Sequence, residues 1–127
     1  MGDSSNFPNS VELGRMAPCI AVSNIEESVA FYTSMLGMYK TFENGNPVGF
    51  VIMKNDRAEL HLSLCRDKKP QIHNVAHLKV SDANALYNHL SNSGVRIVKG
   101  LRDQQYDLRD FVIADPDGNR IDIGQPL

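Results

Sequence analysis

The sequence says nearly the same thing twice. Val22-Ser23-Asn24 returns as Val80-Ser81-Asp82 and Gly37 returns as Gly94, about 58 residues apart. In the first copy, residues 16–22 are short, apolar and bounded by turn formers, which predicts a strand. Ser23-Asn24-Ile25-Glu26 reads as a capping box opening a helix. Ile25, Val29, Tyr32 and Leu36 recur every three to four residues as one apolar stripe, and Gly37 stands where a left-handed terminating residue is wanted. Strands are expected at about 38–43, 48–54 and 58–65, separated by Asn44-Gly45-Asn46-Pro47 and Asn55-Asp56.

The second copy repeats the order. Residues 75–80 predict a strand, Ser81-Asp82 a cap, and Ala83, Leu86, Tyr87 and Leu90 a helical stripe ended by Gly94. Strands follow at about 95–99, 109–114 and 120–124. Asp115-Pro116-Asp117-Gly118-Asn119 joins the last two as a tight turn, and turn chemistry accounts for it without a catalytic role. Each copy is therefore βαβββ. A period this long is too large for most solenoid repeats and suits two pseudo-symmetric modules. Neither could bury its sheet face alone, so the two must pack together. The expected class is α+β, with a loose tail over 1–11 and one domain over 12–127, its modules at about 12–66 and 73–126.

Length and charge narrow the function. A chain of 127 residues suits one domain with a real core. A formal net charge of −2 gives no general attraction to phosphate polyanions, so neither nucleic acid nor an anionic membrane is an expected partner. Residues 1–10 carry no apolar signal region, and no apolar run approaches the roughly 20 residues of a membrane helix. Cys19 and Cys65 make no CxxC pair, and reduced thiols in a cytoplasmic protein are the simplest reading.

The ordered set of motifs resembles a known family. Residues 18–26 running to Phe31-Tyr32 and Leu36-Gly37-Met38, then Ala58-Glu59-Leu60-His61-Leu62, Val80-Ser81-Asp82 with Ala85-Leu86-Tyr87, and Arg109-Asp110-Phe111 before residues 115–119 resemble the vicinal oxygen chelate superfamily. That superfamily holds glyoxalases, bleomycin resistance proteins and extradiol dioxygenases, and the likeness runs closest to its bleomycin-resistance-like, metal-free branch. It covers roughly residues 13–125 and implies two βαβββ modules forming a curved mixed sheet cup. In metal-bearing members the ligands come from the first and last strand of each module. Counting from the two Val-Ser anchors, those positions hold Ala17, Val75, His61 and Asp122, of which only the last two can coordinate. Two protein ligands are fewer than a typical catalytic zinc or non-haem iron site uses. The expectation is no metal and no cofactor.

An alternative remains open. Side chains alternate along a strand, so His77 should share a face with Val75, and His61, His77 and Asp122 would then make a shifted set for a divalent metal. That set would support a glyoxalase-like isomerase or a dioxygenase. His73 and His89 read as surface residues.

Without a metal, a concave sheet lined by aromatics reads as a binding site. The resemblance implies a homodimer that sequesters a drug-like small molecule, of which a bleomycin-type antibiotic is the model, in a cleft between subunits and leaves it unchanged. Phe42, Phe50, Met53, Tyr106 and Phe111 are the candidate wall, with His61, His77 and Asp122 as polar groups. Tyr106-Asp107 falls where bleomycin-resistance-like sequences carry Trp-Gly, which puts bleomycin itself in question as the ligand. A binding module with no resistance role, such as an immunity protein for a self-made metabolite, fits the same residues.

Overall fold

The computed structural model describes residues 6–127. Strand β1 (Cys19–Val22), helix α1 (Ile25–Leu36) and strands β2 (Tyr39–Gly45), β3 (Val48–Asn55) and β4 (Ala58–Leu64) form the first module. Strand β5 (Asn74–Lys79), helix α2 (Ala83–Asn92) and strands β6 (Arg96–Asp103), β7 (Leu108–Ala114) and β8 (Arg120–Pro126) form the second. The sheets run β1-β4-β3-β2 and β5-β8-β7-β6, so each module crosses over once through its helix and then returns by hairpins. β1–β4 and β5–β8 are parallel and the other pairs antiparallel. The α+β class and the repeated βαβββ order read from the sequence are those of the molecule. Residues 1–5 of the expected tail lie outside the described residues, and 6–18 form no strand or α-helix.

Alternation fixes the faces. Ile20, Val22, Val51, Met53, Leu60 and Leu62 turn to the helix side of sheet one and are buried, while their neighbours turn to the open side. Phe111, Ile113, Ile121 and Ile123 do the same on sheet two, and one continuous apolar cluster joins both sets with Tyr32 and Leu90 from the helices. The expected dependence of one module on the other is met by this shared core. Among the described residues no helix is long and apolar enough to cross a membrane.

Three local expectations change. The capping box does not form. Asn24 is the N-cap of α1 and its side chain accepts from the Glu27 amide, while the Ser23 amide donates to Asp117 Oδ2 at 3.0 Å and its hydroxyl to the same carboxylate. The cap is displaced by one residue because a carboxylate from the other module claims Ser23. Next, Val75 and His77 do not share a face. A register shift between Asn74 and Ala76 adds a residue to β5, and Val75 packs on the core beside Leu78. Finally, β6 runs on to Asp103, through Gly100 and two irregularities opposite β7.

The turn at residues 115–119 does more than reverse the chain. Asp115 is 5% exposed and Asn119 1%. The Asp115 carboxylate accepts from the amides of Asp117 and Asn119, from Asn119 Nδ2 and from the Tyr32 hydroxyl, and Asn119 Nδ2 also donates to the Ala21 carbonyl of β1. Buried polar groups need partners, and two of these five bonds, from Tyr32 and to Ala21, reach the other module, so the hairpin pins the modules together. His89, expected on the surface, is exposed yet its Nε2 donates to the Ser34 carbonyl at 3.2 Å and links the helices.

Candidate functional site

The open face of sheet one carries an aromatic ladder. Phe42 on β2 is opposite Ile52, so it shares the face of Phe50, two residues along β3. The Phe42 and Phe50 rings meet edge to face at 6.2 Å, and Phe50 meets the His61 imidazole of β4 at 5.5 Å in the same manner. Phe42 is half exposed. Phe50 and His61 are part-buried. His61 Nε2 lies 2.6 Å from Glu59 Oε2, and Lys54 approaches the other Glu59 oxygen at 3.8 Å. The bond from His61 and these positive neighbours hold the Glu59 carboxyl below its usual range, although partial burial opposes them.

The open face of sheet two carries a matching pair. His77 on β5 stands beside Asp122 on β8, and His77 Nδ1 meets Asp122 Oδ2 at 2.8 Å. The carboxylate accepts there, which places the proton on Nδ1 and leaves Nε2 as an acceptor while the ring is neutral. Gly124 makes room for this ring, because a Cβ there would stand 3.1 Å from His77 Cε1. Register makes the two modules equivalent: Cys19 faces His61 as His77 faces Asp122. Each sheet presents one histidine–carboxylate pair, but His61 meets Glu59 along β4 whereas His77 meets Asp122 across two strands.

The remaining wall candidates separate. Met53 and Phe111 are 0% and 1% exposed on the helix sides of their sheets, so both are core side chains in this structure. Phe111 meets the Tyr87 ring of α2 at 5.1 Å. Tyr106 is 66% exposed in the turn between β6 and β7, away from the ladder strands. Glu59 was missed as a site residue, although its place two residues before His61 on one strand puts both on one face.

The shifted metal set is not gathered within one chain. His61 is on sheet one, bonded to Glu59, while His77 and Asp122 are on sheet two, bonded to each other. Among the described residues no three His, Cys, Asp or Glu side chains come close enough to hold a metal ion. With Ala17 and Val75 at the other positions, the described residues of one chain do not fit the metal centre that the family resemblance implies for metal-bearing members.

Comparison with known proteins agrees with the fold. The family model for the Glyoxalase/Bleomycin resistance protein/Dioxygenase superfamily matches residues 12–123. The chain belongs to that superfamily. A bleomycin resistance protein of Geobacillus stearothermophilus is 26% identical over 128 aligned positions, spanning 87% of this chain and 95% of the relative. Solved structures share the fold. A bleomycin resistance determinant encoded on transposon Tn5 superimposes with a TM-score of 0.77 at 19% identity, over 90% of this chain and 98% of that one. A bleomycin-binding protein complexed with bleomycin does so with a TM-score of 0.77 at 18% identity, over 91% of this chain and all of that one.

Proposed function

We propose that this chain is a small-molecule binding protein of the bleomycin-resistance type, which holds a heteroaromatic, drug-like ligand without changing it. The carrying observation is the ladder of Phe42, Phe50 and His61, an aromatic face left open in a chain whose other large buried rings are packed. Aromatic edges and faces suit a flat conjugated ligand. Phe42, Phe50, His61, His77, Tyr106 and Asp122 are the proposed contacts, and Met53 and Phe111 support them from beneath. The bleomycin resistance relative and the bleomycin-bound neighbour are what single out that drug class.

The cup needs a second wall, and we assign it to a second copy of the chain. β2 and β6 are each paired on one side only, and free strand edges are what proteins cover on assembly. A homodimer would set the ladder of one copy against the His77–Asp122 face of its partner. Calorimetry with bleomycin or phleomycin tests the function: saturable binding with one ligand per cleft is expected, in the micromolar range or tighter, or about 8 kcal/mol or more. The drug should be recovered chemically intact. No heat with any member of the class would end this ligand assignment. Light scattering tests the assembly, and a 14.1 kDa monomer at tens of micromolar, as an order of magnitude for weak dimers, would end that part.

A further inference from the structure

Between the modules lies a cavity of about 800 Å³ open to solvent, with the first residues of β4 on one wall and residues 76–80, the second half of β5 and the residue after it, on the other. Its floor is apolar: Leu36 from α1, Leu60 from β4 and Leu86 from α2 contribute side chains of the shared core. Its rim is charged. Arg15, Arg57 and Lys79 stand around the mouth, with Asp56 and Glu59. Glu59 is already engaged by His61 and Lys54. None of the three cations has a carboxylate within ion-pair distance among the described residues. Three cations outside any salt bridge among the described residues, with the carboxylates of Asp56 and Glu59 beside them, thus stand over a floor of leucines.

The β5 edge adds donors. Successive residues of a strand in a parallel pair point their backbone groups to opposite sides. The Val80 amide donates to the Gly124 carbonyl of β8. The amide of Lys79 then turns away from β8, toward the cavity that Lys79 lines. Apolar floor, cationic rim and outward amide together describe a site for an amphipathic anion.

We propose that this inter-module cavity binds a medium-chain acyl carboxylate, its chain on Leu36, Leu60 and Leu86 and its head among Arg15, Arg57 and Lys79. Neither Phe42 nor Phe50 lines this cavity, although Glu59 and His77 border both sites, and the proposal does not rest on the bleomycin reading. Arginine and lysine bind carboxylates through charge-assisted hydrogen bonds.

The test titrates the full chain with dodecanoate and with dodecyltrimethylammonium, both below their micelle-forming concentrations, at one ionic strength. Dodecanoate should bind saturably and one-to-one, and the cation of the same tail should not. Arg57→Glu with Lys79→Glu should weaken dodecanoate by about tenfold or more, the loss of one or two charge-assisted bonds. Both side chains are exposed, so melting curves should be nearly unchanged and the comparison stays interpretable. Absence of dodecanoate binding, equal binding of the cation, or an unaltered double variant would each overturn the proposal. A failed bleomycin titration would leave it untouched.

Discussion

The Tyr32 hydroxyl donates to Asp115 Oδ2 at 2.8 Å, joining helix α1 to the last hairpin across 83 residues of sequence. Tyr32 is fully buried, and burial first, then the Asp115 charge, pushes its phenol well above the usual value near 10. A group whose pKa rises on folding lends stability that is complete below its unfolded pKa and is lost as pH climbs toward the folded one. Stability should accordingly fall as pH rises beyond about 10. Tyr32→Phe should cost about 1–2 kcal/mol at neutral pH and flatten that alkaline decline. Urea melts of both proteins from pH 7 to 11 check this, and parallel alkaline slopes would contradict it.

The same hairpin offers a contrast between buried and exposed ties. Asn119→Ala strips a buried amide from both Asp115 and the Ala21 carbonyl, leaving acceptors unmet. The expected loss is about 2–4 kcal/mol, since each unsatisfied buried group costs about 1–3. Ser23 and Asp117 meet at the surface, so Ser23→Ala should cost less than about 1 kcal/mol. Chemical denaturation separates the two, and equal losses would refute the inter-module role of Asn119.

Much of this was legible and some was not, for reasons tied to particular residues. The duplication, the helical stripes and Gly37, which sits at φ 66°, are local signals, and the structure bears them out. Ser23 with Asp117 are 94 residues apart and leave no trace in any window, so a capping box looked sufficient. Phe50 and Met53 are three positions apart on one strand and cannot share a face, which alternation alone could have said. Phe111 lies in an unbroken apolar run, residues 111–114, where alternation carries no information. The bulge that turns Val75 inward is likewise silent in the sequence.

The two thiols should differ in reactivity. Cys65 donates to Asp67 Oδ1 at 3.3 Å, and that bond to a carboxylate, ahead of burial, raises its pKa. Cys19 is exposed, and among the described residues no carboxylate accepts a bond from it. Because the thiolate is the nucleophile, iodoacetamide at pH 8 should label Cys19 before Cys65. Asp67→Asn should speed Cys65 while leaving Cys19 unchanged. Peptide mapping over time reads both rates, and faster labelling of Cys65 in the unaltered chain would contradict the assignment.

The sharpest division is between rings that hold the fold and rings that are free to hold a ligand. Phe111 is 1% exposed against Tyr87, so Phe111→Ala should cost about 3–5 kcal/mol through lost burial and the void left behind. Met53→Ala, at 0% exposure, should cost about 2–5 kcal/mol. Phe42 is half exposed at the end of the ladder, and Phe42→Ala should shift stability by less than about 1 kcal/mol. Ligand titrations should reverse that order. Phe42→Ala should weaken the bound drug by about 1–3 kcal/mol, the scale of an aromatic contact. A milder core change, Met53→Leu, should keep both the fold and the affinity. If Phe42→Ala instead unfolds the protein, or binds as tightly as the original chain, the ladder is not the ligand wall and the open face of sheet one needs another occupant.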